Sequence, residues 1–341
     1  MIDVLATLCL LEAPEVCAAR TVPVGAATCA AAQAAAADRL EGWRLGHEVS
    51  EVRCGAMDVP PLDFEEVRPG LFVHVGRIAL ADAENGGDIG NVAFVVGDEA
   101  VAVIDSGGSR ALGEAIVAAV RARTDRPIRH VILTHPHPDH VLGATALVDA
   151  GAEVLGHERL AAELAARSNS DRAQGLRQIG PGFVGSEAPV VHRGVAGMEA
   201  LDLGDRVLDL RAWPQAHTGA DLTVIDRATG VLIAGDLVVD QHLPTLDGSL
   251  RGWLEVLDGL AASEAVEVVP GHGGPLRPWP EAAEPVRAYL DGLAQDVRAL
   301  LAEGASLSEA MKAAGAPGDW LLYEEHNPRN ATAAYTELEW E

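Results

Sequence analysis

Short apolar runs punctuate the chain from residue 71 to residue 270, separated first by turns and then by stretches of helical period. Leu71-Phe72-Val73-His74-Val75 follows the turn pair Pro69-Gly70 and predicts a strand. Val92–Val96 and Val101–Ile104 are unbroken apolar runs, and Gly97-Asp98-Glu99-Ala100 between them predicts a hairpin turn. Ser109 can cap a helix whose Leu112, Ile116 and Val120 recur at helical spacing. A strand at 131–133, a helix at 141–148, a strand at 153–155 and a helix at 159–166 follow, with His157 at the opening of that helix. Residues 168–195 are rich in Gly, Pro and Ser and lack a period, so they predict a loop or lid. A second series predicts strands at 201–203, 207–212, 222–226, 231–234 and 266–269, with a helix capped by Asp247 or Ser249 and running to Ala262. Beyond Pro280, Val286, Tyr289, Leu290, Leu293, Val297, Leu300 and Leu301 form one helical stripe, and Ser306 with Glu309 forms a capping box. Two similar β/α halves predict a sheet-on-sheet core flanked by helices.

The 341 residues divide into a Cys-containing appendage over 1–60, a body over 61–280 and a helical extension over 281–341 packed on the body. The appendage contains an alanine-rich stretch, Ala30–Ala37, that predicts a helix. The net charge of −26, with a single lysine, Lys312, disfavours nucleic acid and anionic membranes as partners and leaves a small-molecule substrate. Oligomeric state is open. The apolar runs are too short to span a bilayer. The first twelve residues lack a basic segment and do not read as a secretory signal. Cys9, Cys17, Cys29 and Cys54 all lie in the first sixth of the chain. Their even number predicts two disulfides of open connectivity and an oxidising compartment; four buried thiols are the alternative.

The densest chemistry is Thr134-His135-Pro136-His137-Pro138-Asp139-His140, which leaves an apolar strand and enters a helix. Neutral imidazoles and carboxylates are ordinary ligands for Zn²⁺, and gathering them here is unfavourable unless a cation holds them. His135 and His137 are two apart, so in extended backbone their rings can face one way. Asp139 and His140 can face a second, adjacent centre. The two prolines stiffen the loop.

This segment resembles the signature of the metallo-β-lactamase superfamily, whose members have an αββα sandwich with one or two metals at one edge. Four further motifs follow that family's order. Asp105 in Ile104-Asp105-Ser106-Gly107 matches the first, and His217 in Ala216-His217-Thr218-Gly219 the third. Asp236 in Ala234-Gly235-Asp236-Leu237 matches the bridging carboxylate, and His272 in Pro270-Gly271-His272-Gly273 the last ligand. The resemblance covers roughly residues 65–280. It implies an α/β, αββα fold and two Zn²⁺ per chain. His135, His137 and His217 would hold one ion, Asp139, His140 and His272 the other, with Asp236 bridging. Asp105 would orient a ligand histidine. Asp221 would act similarly or cap a strand. A glutamate stands at the position of His137 in flavodiiron members, so the set points away from oxygen reduction. Asp139 would aim a metal-bridging hydroxide at the substrate.

Within the superfamily, Glu84–Asn91, Arg211-Ala212-Trp213-Pro214, Leu246–Trp253 and Glu337-Leu338-Glu339-Trp340 are similar to the quinoprotein relay system zinc metallohydrolases. That similarity implies a periplasmic setting beside a quinoprotein dehydrogenase, with the cytoplasm as the alternative. Asn85, Asp88 and Asn91, in a polar glycine-rich loop, and His242 are weaker candidates for substrate contact. His326 and Asn330 read as residues that dock a C-terminal helix. The leading expectation is a dinuclear zinc hydrolase of a small ester, thioester, lactone or amide. The alternatives are a metal-binding accessory protein of a quinoprotein system and a small-molecule phosphodiesterase.

Overall fold

A computed structural model describes residues 1–341. Strands β1 (Ile2–Leu10), β2 (Ala13–Ala26) and β3 (His47–Gly55) form a three-stranded antiparallel sheet in the order β2-β1-β3, with helix α1 (Cys29–Arg44) against it. The strands here were not anticipated, although burial along β1 alternates in part. Val4, Ala6 and Leu8 point inward, against Ala32, Ala36, Leu40 and Trp43 of α1. Disulfides join Cys9 to Cys17 across the β1–β2 pair and Cys29 to Cys54 between α1 and β3.

The next sheet has seven strands: β4 (Glu65–Arg68), β5 (Leu71–His74), β6 (Val92–Val96), β7 (Val101–Ile104), β8 (Ile128–Leu133), β9 (Glu153–His157) and β10 (Arg193–Val195), lying side by side in chain order. Helices α2 (Arg110–Arg121), α3 (Pro138–Val141), α4 (Ala144–Asp149) and α5 (Leu160–Gln178) connect its parallel strands. A six-stranded sheet follows: β11 (Met198–Asp202), β12 (Val207–Ala212), β13 (Leu222–Asp226), β14 (Val231–Ile233), β15 (Glu267–Val269) and β16 (Arg277–Pro278). Helix α6 (Leu250–Ala261) crosses between β14 and β15. Helices α7 (Glu284–Ala302), α8 (Leu307–Ala313) and α9 (Tyr323–Leu338) close the chain.

The two large sheets pack face to face through residues such as Leu71, Val95, Ile104 and Ile132 on one and Leu208, Leu222, Val224 and Ile233 on the other. The outer face of the seven-stranded sheet is covered by α2, α4 and α5, and that of the six-stranded sheet by α6, α7 and α9. The order of layers is therefore helix, sheet, sheet, helix. Strands β6 and β7 are buried on both faces, which is why they read as continuous apolar runs rather than alternating ones.

Two expectations are corrected. Residues 168–178 are helical, because α5 continues to Gln178, and the stretch after it holds a short 3-10 turn (Gly180–Phe183) and β10. His157 does not open a helix: it ends β9, where its Nε2 donates to the Trp213 carbonyl and its Nδ1 accepts from the Arg159 amide. Ser249, rather than Asp247, caps α6 by accepting from the Gly252 amide. No helix is long and apolar enough to cross a membrane.

Candidate metal centre

Parallel pairing of β7 with β8 and of β14 with β15 brings the carboxyl ends of these four strands to one edge of the sandwich. Each end delivers a polar side chain. Asp105 follows β7, His135 follows β8, Asp236 lies in a 3-10 turn (Gly235–Leu237) after β14, and His272 follows β15. His137 precedes α3, which carries Asp139 and His140, and His217 sits in the turn between β12 and β13.

The ligand-type atoms form two groups, His135, His137, His217 and Asp236, and Asp139, His140 and His272. The Asp236 carboxylate lies between them. Its oxygens are 3.7 Å and 3.6 Å from Nε2 of His135 and His217, and 3.3 Å from Nε2 of both His140 and His272. Asp139 Oδ2 is 3.4 Å from Nε2 of both His140 and His272. Four donors around a zinc ion at about 2.1 Å stand about 3.4 Å apart in a tetrahedron, so these spacings have the size of a coordination shell. A glycine is required at 271, where an added Cβ would lie 1.9 Å from Asp236 Oδ1.

The outward nitrogen of each imidazole fixes its tautomer. His140 Nδ1 donates to Asp105 at 2.8 Å, His272 Nδ1 to the Ile89 carbonyl at 2.8 Å, and His217 Nδ1 to the Thr245 carbonyl at 2.7 Å. His137 Nε2 donates to Asp247 at 2.9 Å. Thr134 Oγ1 gives its proton to Asp105 and so accepts from His135 Nδ1 at 3.0 Å. In the neutral form of each ring, all five remaining nitrogens carry lone pairs directed into the centre. His137 Nδ1 and His217 Nε2 face each other at 3.1 Å, two acceptors with no proton between them. His135 Nε2, His140 Nε2 and Asp236 Oδ1 are buried without a hydrogen-bond partner. An acceptor cluster of this kind is unfavourable alone and is stabilised by a cation. The donor set fits a divalent metal.

Burial pushes the His217 imidazole down to about 3 and that of His135 well below its ordinary value, with neighbouring imidazoles adding to the effect. Burial alone would raise the Asp236 carboxyl, but the imidazoles of His272, His140 and His135 outweigh it and hold the group well below the usual carboxylate range. Burial alone would lower His140 and His272 too, but the carboxylates of Asp139 and Asp236 outweigh it and push both imidazoles up, so these two hold protons that a bound metal would displace.

The remaining candidates divide. Asp105 is buried with a left-handed backbone (φ 63°) and accepts from the Thr134 amide, the Thr134 hydroxyl and His140. Asp221 touches no candidate ligand. It accepts from the amide and hydroxyl of Thr218, pinning the turn that carries His217, and burial pushes its carboxyl up to about 6. Asn85, Asp88 and Asn91 do not line the cavity beside the centre. Asn85 accepts from the amides of Asp82 and Gly87, Asp88 accepts from His74 Nε2, and Asn91 joins Gly76 to the carbonyls of Pro270 and Gly273. Gly87 and Ile89 are what that loop presents to the cavity. His242 does line it, stacked on His272 with ring centroids 4.5 Å apart, its Nδ1 buried without a partner.

The cavity of about 210 Å³ opens over Asp139, Asp236 and His272. Its walls mix apolar side chains, Leu80, Leu142, Ile179 and Phe183, with Arg167, Arg329 and His326. His326 thus does more than dock a helix. Three contributors have no local mark in the sequence. Asp247 read as a helix cap, Arg167 lay at the edge of an expected loop, and Arg329 reaches the centre only through the return of α9.

The family model of the metallo-beta-lactamase superfamily matches residues 85–272, more than half of the chain. The chain belongs to the metallo-beta-lactamase superfamily. A linear primary-alkylsulfatase from Pseudomonas sp. (strain ATCC 19151) is 26% identical over 235 residues, covering 58% of this chain. The chain spans only 44% of that curated relative's length. Among solved structures, a beta-lactamase domain protein from Burkholderia ambifaria superposes with a TM-score of 0.59 at 22% identity, covering 84% of this chain and 90% of that one. A metallo-beta-lactamase family protein from Thermus thermophilus gives 0.57 at 22% identity, covering 80% and 93%. These likenesses establish the αββα fold. Superfamily membership and the His/Asp cluster together give this chain a site fitted to a divalent metal.

Proposed function

We propose that this protein is a dinuclear zinc hydrolase acting on an ester, thioester, lactone or amide bond of a small molecule. The observation that carries the reading is the convergence of four imidazoles on the Asp236 carboxylate, with His137 facing His217 beside them. His135, His137 and His217 would hold one ion, Asp139, His140 and His272 the other, and Asp236 both. Bound there, zinc supplies an ionised water at neutral pH and polarises the oxygen of the scissile bond. The all-nitrogen-and-oxygen donor set supports zinc over thiolate-preferring metals.

The chain's own residues do the rest. Asp139 lines the cavity and accepts a hydrogen bond from the attacking water, turning it toward the substrate. Burial, then the neighbouring His272, pushes the His242 imidazole down to about 3, so it meets the substrate as a neutral hydrogen-bonding group. Leu80, Leu142, Ile179 and Phe183 exclude water from one side of the bond being cut. The two disulfides support an oxidising compartment, and the similarity to quinoprotein relay hydrolases supports a periplasmic role beside a quinoprotein dehydrogenase.

A second reading, hydrolysis of a sulfate ester, is favoured by the alkylsulfatase relative and by Arg167 on the cavity wall. Its Nε pairs with Asp171 while both terminal nitrogens stay free for an anionic group. Purified protein assayed on chromogenic carboxylate esters, thioesters, lactones, amides, sulfate esters and phosphodiesters, with and without chelator, tests both readings. Chelator-sensitive turnover of the first four classes supports the proposal. Turnover of sulfate esters alone selects the second reading, and no turnover by metal-replete protein leaves the accessory role.

A further inference from the structure

Helix α9 joins the chain after the matched family region, yet it reaches the candidate centre. The link is the segment 241–251. Asn330, fully buried, accepts from the Leu246 amide at 2.8 Å and donates to the Pro244 carbonyl at 2.7 Å. Glu337 accepts from the Leu250 amide at 2.7 Å and the Ser249 hydroxyl at 2.9 Å. Leu243 donates to the Leu321 carbonyl, and Leu321 to that of Gln241. Arg329 forms an ion pair with Asp247. The segment so held stacks His242 on His272 and offers two hydrogen bonds to ligand imidazoles. Asp247 accepts from His137 Nε2, and the Thr245 carbonyl accepts from His217 Nδ1.

Both hydrogen-bonded histidines belong to the first ligand group. No hydrogen bond or ion pair joins Asp139, His140 or His272 to residues 281–341. The outward nitrogens of His140 and His272 are taken by Asp105 and Ile89, which the sheets and their loops supply.

We propose that the C-terminal helix is a positioning element for one of the two metal subsites, acting through Arg329, Asp247 and His137 and through Asn330, the 244–246 backbone and His217. Asp247 and Arg329 are positioning residues. Asp247 fixes the His137 tautomer that turns Nδ1 inward, and Arg329 fixes Asp247. The proposal rests on the reading of the site as a dinuclear metal centre.

Stepwise zinc titration of metal-free protein, with a competing chromophoric chelator and elemental analysis, tests it. Wild-type protein is expected to bind two ions with two constants. Asp247→Asn and Arg329→Met should each weaken one constant about 10- to 100-fold and leave the other unchanged. Arg329→Lys, which keeps the charge, should restore most of the loss. Arg329 is 61% exposed, so its replacement leaves the core intact and carries the test even if Asp247→Asn misfolds. Two unchanged constants in a folded Arg329→Met protein, or equal weakening of both, would overturn the proposal. Failure of wild-type protein to bind any ion would instead refute the metal-centre reading beneath it.

Discussion

His135, His140 and His272 are steered by groups that belong to the sandwich itself. Asp105, at the end of β7, holds His140 directly and His135 through Thr134, and the Ile89 carbonyl holds His272. His137 and His217 are steered by a loop that depends on α9. The first arrangement comes with the sandwich, because Asp105, His135 and His272 stand at the ends of β7, β8 and β15 and the Ile89 carbonyl lies just before β6. The second needs a tertiary return from the end of the chain. One centre can thus be half inherited from a fold and half built by an added element. On the proposal above, the exposed Arg329 of that added element is where metal affinity can be adjusted without disturbing the core.

The most damaging change is at the carboxylate common to both halves. Asp236→Ala should cut hydrolysis on the order of 10³-fold or more and reduce loading toward one ion. Activity and elemental analysis measured together check it, and wild-type turnover in that variant would deny the shared role. Next is the core-held half. Asp105→Ala strips acceptors from His140, the Thr134 amide and the Thr134 hydroxyl, all buried. It should cost roughly 3 kcal/mol of stability and weaken metal binding, read by urea melts of metal-free protein and by zinc titration.

Asp221 separates the halves by pH. Its carboxyl is pushed up to about 6 by burial, against an ordinary unfolded value near 3.8. Between these values the folded chain binds the proton that the unfolded chain has released, so this group's contribution to stability rises as pH falls from 6 toward 4. The stability of wild type relative to Asp221→Asn should therefore increase over that window by about 2 to 3 kcal/mol at most. A flat difference would contradict the assignment. The smallest effect belongs to the cavity wall. Arg167→Met should raise KM for anionic substrates about 10-fold, with kcat, neutral substrates and metal content nearly unchanged.

The core-held half was the more legible in the sequence. Thr134–His140 sits where an apolar strand stops, and its residue types declare metal chemistry without any knowledge of the partners. Asp236 and His272 follow short apolar strands in the same manner. The loop-held half was legible in its ligands but not in its support. Asp247 is 110 residues from His137, and Arg329 a further 82 beyond Asp247, so no local period links them. Helix α5 was cut short for a different reason. Its late inward positions are Asp171 and Gly175, not apolar residues, because this face borders the cavity and packs close to Phe183. A Cβ at 175 would lie 2.2 Å from that ring. The N-terminal sheet escaped notice because β3 has no buried residue, β2 is buried only over its middle, and both mix apolar with charged residues at short range.

The central claim is that Asp236 and the five imidazoles enclose two divalent ions. Elemental analysis of folded protein, purified without chelating resin and equilibrated with micromolar zinc, addresses it directly. The account predicts two equivalents of metal per chain, falling toward one in Asp236→Ala. A folded wild-type protein that retains no stoichiometric metal under those conditions would contradict it.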